Sequence, residues 1–445
     1  MELDHSAGTE RVSNLPYLPS GGPYFRDILL RIPSLTTSYS QKVSISNLVV
    51  NNADGSLDSW LDLAWKGWPL RIYIGDPSWV FADFMQIFSG LNGGASSRSS
   101  EEIEFTVYDK RAFFSQNIQN NLLPNNKPIP LSIGKLFNVS PVIVDAATHK
   151  YQVHDGAILS VDDVRESGQS ISNYTADLAN GTITLTASPS GAITADITGA
   201  TNGSLSEMVK WVAKRSDKIS STDLDVAQID SFPSQYVCGY YARSNKKISQ
   251  VLTDLVKSAG GNYFFGRDGK MRVFRLADVS SETPLLSLTE DDIQEGSFGI
   301  SRTYYPRYKL SLGYKNNWKV QSEASLVGSV PEDLRELYGE KYSLVTAYNS
   351  SVPTDYPLID DKDDIKTLIF NSADAQTEAD YRANLWSVKR RVYTLTCFSY
   401  PFLLNIGDVV KITHPRFGFS SGKNAQVISL TEYPLDNRTQ LEVFA

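Results

Sequence analysis

From Tyr24 onward, apolar and polar residues alternate with the period of two that belongs to a half-buried strand. Stretches 27–32, 43–50, 70–74, 84–88 and 103–108 alternate or run apolar over strand lengths, and Asn, Asp or Gly turn signals bound each of them. Between them, residues 56–65 fit a short amphipathic helix or a loop. The 22 residues at the start are polar and rich in Ser, Gly and Pro, which predicts an extended arm or a disordered lead-in.

A second β segment covers about 119–204. Its clearest feature is a predicted hairpin pairing 182–186 with 193–197 through the turn Ser188-Pro189-Ser190-Gly191. A helix follows, capped by Ser204 or Ser206, with Leu205, Met208, Val209 and Val212 on one face. Another helix runs over 248–259 and ends at Gly260-Gly261. It leads into a hairpin, 262–265 and 270–275, around an Asp268-Gly269 turn. Residues 301–391 are mixed: a strand at 308–314, a polar irregular stretch through 365, and a helix over 373–389. The last stretch, 392–445, is β again.

Strand patterning echoes across the chain. Ile72-Tyr73-Ile74-Gly75-Asp76 precedes Ile87-Phe88-Ser89-Gly90 and Glu104-Phe105-Thr106-Val107. In the same order, Leu404-Asn405-Ile406-Gly407-Asp408 precedes Val427-Ile428-Ser429-Leu430 and Leu441-Glu442-Val443-Phe444. Either this is a diverged duplication of one small β-domain, or it is chance similarity among short strands.

Composition narrows the function. At 445 residues the chain exceeds a single core. Its 23 Tyr and 19 Phe favour pleated surfaces. A net charge of −8 opposes adhesion to nucleic-acid phosphate and favours solubility. Cys238 and Cys397 lie in apolar, strand-like runs and read as buried thiols, so no disulfide framework exists and a reducing compartment suits assembly. The first ten residues carry no basic or apolar leader, and no apolar run approaches the ~20 residues that span a bilayer.

Catalytic signatures are absent from the pattern. His5 falls in the polar arm. His149 and His154 flank the strand at 151–153 on opposite faces and read as surface or turn residues. His414 precedes Pro415 in a loop. The run Asp360-Asp361-Lys362-Asp363-Asp364 lacks the ligand spacing of a calcium loop and reads as a solvated tip. Trp60, Trp65, Trp68 and Trp79 read as core and interface anchors ahead of a sugar platform. No catalytic, cofactor-binding or metal-binding residue is nominated, and no cofactor is expected. The expected protein is structural and non-enzymatic.

Three stretches carry a resemblance. Residues 127–145, from Lys127-Pro128-Ile129-Pro130 to Val142-Ile143-Val144-Asp145, are followed by Tyr151-Gln152-Val153-His154-Asp155-Gly156. Residues 248–276 contain Gly260-Gly261-Asn262-Tyr263-Phe264-Phe265. The third stretch runs from Ile406 to Phe419. Together, over roughly 70–445, they resemble the central hub family of bacteriophage tail tips and baseplates. That resemblance implies a mainly β (α+β), multidomain chain with two tube-like β-barrel or sandwich domains and smaller inserted domains. The implied division is an arm at 1–22, a first tube-like domain at 23–118 plus 205–240, and an inserted β domain at 119–204. A second tube-like domain takes 241–300 plus 392–445, and a mixed insertion takes 301–391.

The resemblance further implies a homotrimer that forms a pseudo-sixfold ring in the virion, at the tail tip, after assembly in the host cytoplasm. Its implied partners are the tail tube or distal tail protein, the tape-measure protein, and tail fibre or other tip proteins. DNA would pass through the lumen without specific binding. Because the sequence stops soon after the last tube-like strand, receptor binding is expected of separate fibre proteins. Loop tips before the final strands are the interface candidates: Asn92, Arg98 and Glu101, and Glu432, Asp436 and Arg438. The alternatives are a hexameric distal tail ring, a tail-associated cell-wall or polysaccharide hydrolase, and a glycan-binding adhesin using Trp60–Trp79.

Overall fold

The computed structural model describes residues 1–19, 22–39, 44–233, 235–357, 364–398 and 402–445. Of the expected elements, Val43 and the acidic residues Asp360, Asp361 and Asp363 lie outside them. The chain forms two compact units. One takes residues 1–112, 262–304 and 390–445, and the other takes 113–261 and 305–389. This grouping differs from the expected one. Residues 205–240 belong to the second unit, while 23–112 and 392–445 share the first.

The first unit begins at the chain start. Strands β1 (Glu2–His5) and β2 (Gly8–Ser13) form an antiparallel hairpin where an arm was expected. Leu3 and Val12 are fully buried. Two apolar residues are too sparse a signal for a strand pattern. Cross-strand charge pairing supplies the rest: Glu2 binds Arg11 and Arg71, each at 3.0 Å, and Asp4 binds Arg71 at 3.0 Å.

Eight further strands complete this part: β3 (Arg26–Asp27), β4 (Leu29–Arg31), β5 (Leu35–Ser38), β6 (Ser44–Ile45), β7 (Leu48–Asn51), β8 (Pro69–Ile74), β9 (Met85–Ser99) and β10 (Glu102–Tyr108). Among the described residues the first sheet reads β3-β2-β1-β8-β9-β10-β7-β4. Its core is built by Leu48, Trp60, Trp65, Leu70, Ile72 and Phe105. Each such side chain stabilises the fold by roughly 1.5–3 kcal/mol on burial.

The second sheet comes from the far end of the sequence: β11 (Leu286–Leu288), β12 (Gly299–Tyr304), β13 (Arg390–Phe398), β14 (Val409–His414), β15 (Phe419–Tyr433) and β16 (Arg438–Phe444), in the order β11-β14-β15-β16-β13-β12. Five strands of each sheet repeat one topology. The spatial order β8-β9-β10-β7-β4 matches β14-β15-β16-β13-β12, every neighbour antiparallel.

Strand lengths repeat as well: 6, 15 and 7 residues for β8, β9 and β10, and again for β14, β15 and β16. Each 15-residue strand changes partner at its middle. Leu91 faces both Pro69 of β8 and Tyr108 of β10, and Gln426 faces both Val409 of β14 and Phe444 of β16. A one-residue bulge follows each switch point, at Gly93 and at Ile428.

The register corrects the echo read from the sequence. Gly67 N–H donates to Asn92 O at 2.7 Å and Asn92 N–H to Trp68 O at 2.8 Å. In the other copy Gly407 N–H donates to Val427 O at 2.9 Å and Val427 N–H to Asp408 O at 2.8 Å. Gly407-Asp408 therefore corresponds to Gly67-Trp68, both leading into the six-residue strand. Gly75-Asp76 follows that strand instead. Both entry glycines have positive φ, +86° and +97°, so the turn requires Gly and not Asp.

All α-helices of the described residues lie in the second unit. The expected ones are α1 (Leu205–Ala213), preceded by Ser204 as N-cap, α2 (Ile248–Ser258), ended by Gly260 at φ +69°, and α3 (Ser372–Leu385). The stretch expected to be irregular through 365 holds a further helix, Glu332–Gly339, and a strand, Ser343–Tyr348.

The hairpin expected at 182–186 and 193–197 does not form. Thr182–Leu185 pairs with Tyr174–Asp177 and Lys150–Gln152 in one sheet, whereas Ile193–Thr198 pairs with Ser160–Glu166 and Leu131–Val139 in another. Asn180-Gly181, with Gly181 at φ +59°, is the turn that wins, and the Ser188–Gly191 segment crosses between sheets.

The stretch 127–145 becomes the buried strand Leu131–Val139. Gly134 has φ +72°, and a Cβ there would lie 2.2 Å from Cys238 O. Asn138 has φ +55° and donates to Asn317 Oδ1 at 2.9 Å, Lys319 O at 2.7 Å and Gln321 Oε1 at 3.2 Å.

Candidate assembly joint

Within the first unit the two sheet motifs are joined edge to edge. In the first motif, the ribbon of β4–β5 and β6–β7 reaches past its own sheet, with Leu35 opposite Ile45 and Thr36 opposite Ser44. The outer edge of β5 lies antiparallel on β15 of the second motif: Ser38 faces Ser429, Thr37 faces Leu430, Thr36 faces Thr431 and Leu35 faces Glu432. Backbone pairing is reinforced by side chains. Thr36 and Thr431 hydroxyls meet at 2.9 Å and Asn262 Nδ2 donates to Tyr39 O at 2.6 Å, while the backbone adds Tyr39 N–H to Ile428 O at 2.7 Å.

One end of this joint is clamped by a buried ion pair. Glu432, 2% exposed, accepts from Arg267 and from Phe402 N–H at 2.8 Å. Arg267 also donates to Leu404 O at 2.5 Å and Asn405 Oδ1 at 3.3 Å. Burial pushes the Glu432 carboxyl above the usual carboxylate range, and the guanidinium beside it pulls it back. A cavity of about 40 Å³ lies beside the pair, lined by Leu35, Thr36, Ile87, Phe264 and Leu404 among others. So small a space suits a water molecule and no substrate.

Of the six interface candidates, four sit on hairpin tips. Arg98 is exposed and pairs with Glu104 at 3.4 Å, and Glu101 lies exposed at the β9–β10 tip. Asp436 and Arg438 pair at 3.5 Å at the β15–β16 tip, with the Arg438 guanidinium 4.2 Å from the Tyr433 ring centre. Asn92 and Glu432 are not tips. Asn92 is fully buried mid-strand at the partner switch, and Glu432 is the joint clamp. Their place ahead of the final strands put them among the expected loop tips, and the 15-residue strands carry the pairing further than the pattern implied.

Trp60 and Trp65 are core residues, with Trp65 Nε1 donating to Trp60 O at 2.6 Å, while Trp68 and Trp79 are about half exposed. That split removes the four-tryptophan platform. His5 is buried in β1 and His414 ends β14 against Phe298, at 4.7 Å. His149 stands in a turn at φ +54°. His154 is buried, and its Nδ1 accepts from Ser132 N–H at 2.9 Å. Cys238 and Cys397 are buried free thiols. No cluster of metal-ligating side chains occurs among the described residues. None of their helices is long and apolar enough to cross a membrane.

No family model matches the chain, and no curated protein matches it. Among solved structures it is similar to the tail protein from Neisseria meningitidis MC58, with 12% identity and a TM-score of 0.43 over 96% of this chain and 94% of that one. It is also similar to a chain of the virion of the native gene transfer agent particle, with 13% identity and a TM-score of 0.48 over 73% and 86%. A third similarity is to the 43 kDa tail protein of prophage MuSo2 from Shewanella oneidensis, with 12% identity and a TM-score of 0.38 over 95% and 96%. These likenesses concern the course of the backbone alone.

Proposed function

We propose that this chain is a non-enzymatic structural subunit of a phage tail, a hub whose two sheet motifs stand as two of six repeats in a ring. Three copies would then mate a hexameric tube to a threefold tip, hold the tape-measure protein, and open to let DNA through. The observation that carries this reading is the duplication: one strand order, one set of strand lengths and one partner switch, present twice in the first unit and joined edge to edge. A chain that already holds two equivalent repeats side by side halves the number of copies that a six-repeat ring requires. The hub-like stretches at 127–145, 248–276 and 406–419 support the same reading.

Arg98, Glu101, Asp436 and Arg438 are the hairpin-tip residues assigned to contacts with the tube or distal tail protein. Opening is a shift between closed and open rings driven by partners, not bond chemistry. Copy number tests the reading. Quantitative mass measurement on the assembled particle is expected to give three copies of this chain; six would favour a distal tail ring. Clearing of peptidoglycan or capsule by the purified chain, abolished by a carboxylate substitution, would favour the hydrolase.

A further inference from the structure

The duplication also reveals two sheet edges that no other described strand of the chain covers. Matching registers strand for strand places Phe105 on Leu441 and Ser96 on Thr431, so Gly94–Ser97 of the first motif corresponds to Ser429–Glu432 of the second. The same matching places Leu48 on Leu395 and Ile45 on Val392. Leu35 and Thr36 therefore correspond to Arg302 and Thr303 of β12, which face Val392 and Arg391.

Within one chain, the ribbon edge of the first motif (Leu35–Ser38) fills the strand edge of the second (Ser429–Glu432). One edge of each kind is left over. Beyond the partner switch, β9 pairs with β10 alone among the described strands, and β12 pairs with β13 alone. Ser96, Ser97 and Arg98 are exposed, as are Ile300 to Thr303. Neither segment contains proline, and apart from Gly94 N–H, which donates to Asn92 Oδ1 at 3.0 Å, each offers strand-edge backbone of the kind that natural proteins otherwise cover.

We infer that the Gly94–Ser97 edge of one copy takes up β12 of a second copy, antiparallel, with Ser96 opposite Thr303 and Ser97 opposite Arg302. This rests on the ring reading and specifies its joint. The trans joint then repeats the cis joint head to tail, the arrangement that closes a ring. Side chains agree. Thr303 stands where Thr36 stands and Ser96 where Thr431 stands, so the hydroxyl pair that bridges the cis joint is available again. The clamp is not repeated: Ser97 occupies the position of Glu432, and Arg302 that of Leu35. The trans joint is therefore more polar and more readily reversed, as suits subunits that meet only during assembly.

Two single variants, Ser96→Cys and Thr303→Cys, test the register. Directly opposed positions hold their Cβ atoms about 4.5–5.5 Å apart, close to disulfide reach. Under mild oxidation, a mixture of the two proteins is expected to give a covalent dimer of doubled mass, and each protein alone to remain single. The control mixture, Ser99→Cys with Thr303→Cys, is expected to give none. Native mass spectrometry of the same samples separates the two levels. Trimers without the 96–303 cross-link, or with equal cross-linking in the control, overturn the strand joint and leave the ring. Monomers alone, with no cross-link, overturn both.

Discussion

At the scale of single residues, His154 shows how a side chain assigned to the surface becomes a stability determinant. Burial holds its imidazole at a pKa of about 4, with Asp155 opposing and Arg215 adding to the effect, so the folded protein carries it neutral. The unfolded chain protonates it near the ordinary histidine value of about 6.5. Protons thus favour the unfolded state across that interval. The contribution is complete above pH ~6.5 and is lost as pH falls toward 4. The difference in proton affinity between the folded and unfolded states corresponds to about 3 kcal/mol. Denaturant unfolding of the second unit is expected to weaken between pH 7 and pH 5, and His154→Gln to flatten that dependence while lowering stability at pH 7. An unchanged slope in the variant would assign the effect elsewhere. The sequence could not show this burial. Strand alternation places His154 just past 151–153, but the covering groups, Ser132 and Gly181, come from 22 and 27 positions away. Asn92 and Glu432 were misplaced for the same reason.

Single elements were more legible, because their ends are written locally. Gly260 and the Asp268-Gly269 turn fall where the sequence put them, and of the two serines offered as caps Ser204 holds the N-cap position, without a side-chain cap bond. What escaped was pairing: Thr182–Leu185 and Ile193–Thr198 are both strands, but the choice of sheet depends on distant partners. Helix packing follows the same rule. The last carbonyls of α2, Lys257 O and Ser258 O, accept from Arg382 of α3 at 3.1 and 2.9 Å. Glu378, wholly buried, holds that guanidinium at 2.6 Å and accepts from Tyr236 Oη at 3.1 Å. Arg382→Ala leaves a buried carboxylate without its counter-charge and the helix end without its cap. The expected loss is about 3–5 kcal/mol in chemical denaturation. The double variant Arg382→Ala, Glu378→Leu is expected to recover part of it. A single-variant loss below about 1 kcal/mol would mean that solvent reaches the site.

For the whole molecule, the echo along the chain left duplication and chance similarity open, and the strand order shows one topology present twice; the insertion expected at 301–391 spans 305–389, where it interrupts a hairpin. Tyr304 and Arg390 are opposed in register on β12 and β13, so the insertion leaves and returns at positions about 5 Å apart. Replacing 305–389 by Asn-Gly would close that hairpin with a tight turn. The two cysteines report the outcome separately. Cys397 lies in the first unit, 1% exposed in the core of the second sheet, its thiol pushed up to about 12 by burial. Cys238 lies in the second unit, bridged to Ile369, and its neighbours Val237 and Gly239 pair with Phe370 and Leu368. All three of those partners leave with the insertion. In the intact chain both thiols are expected to resist a thiol reagent under native conditions. In the shortened chain one thiol per chain, Cys238, is expected to react quickly while Cys397 stays protected. Two reactive thiols would show that the paired sheets depend on the inserted segment for their stability, and none would show that the second unit holds Cys238 without it.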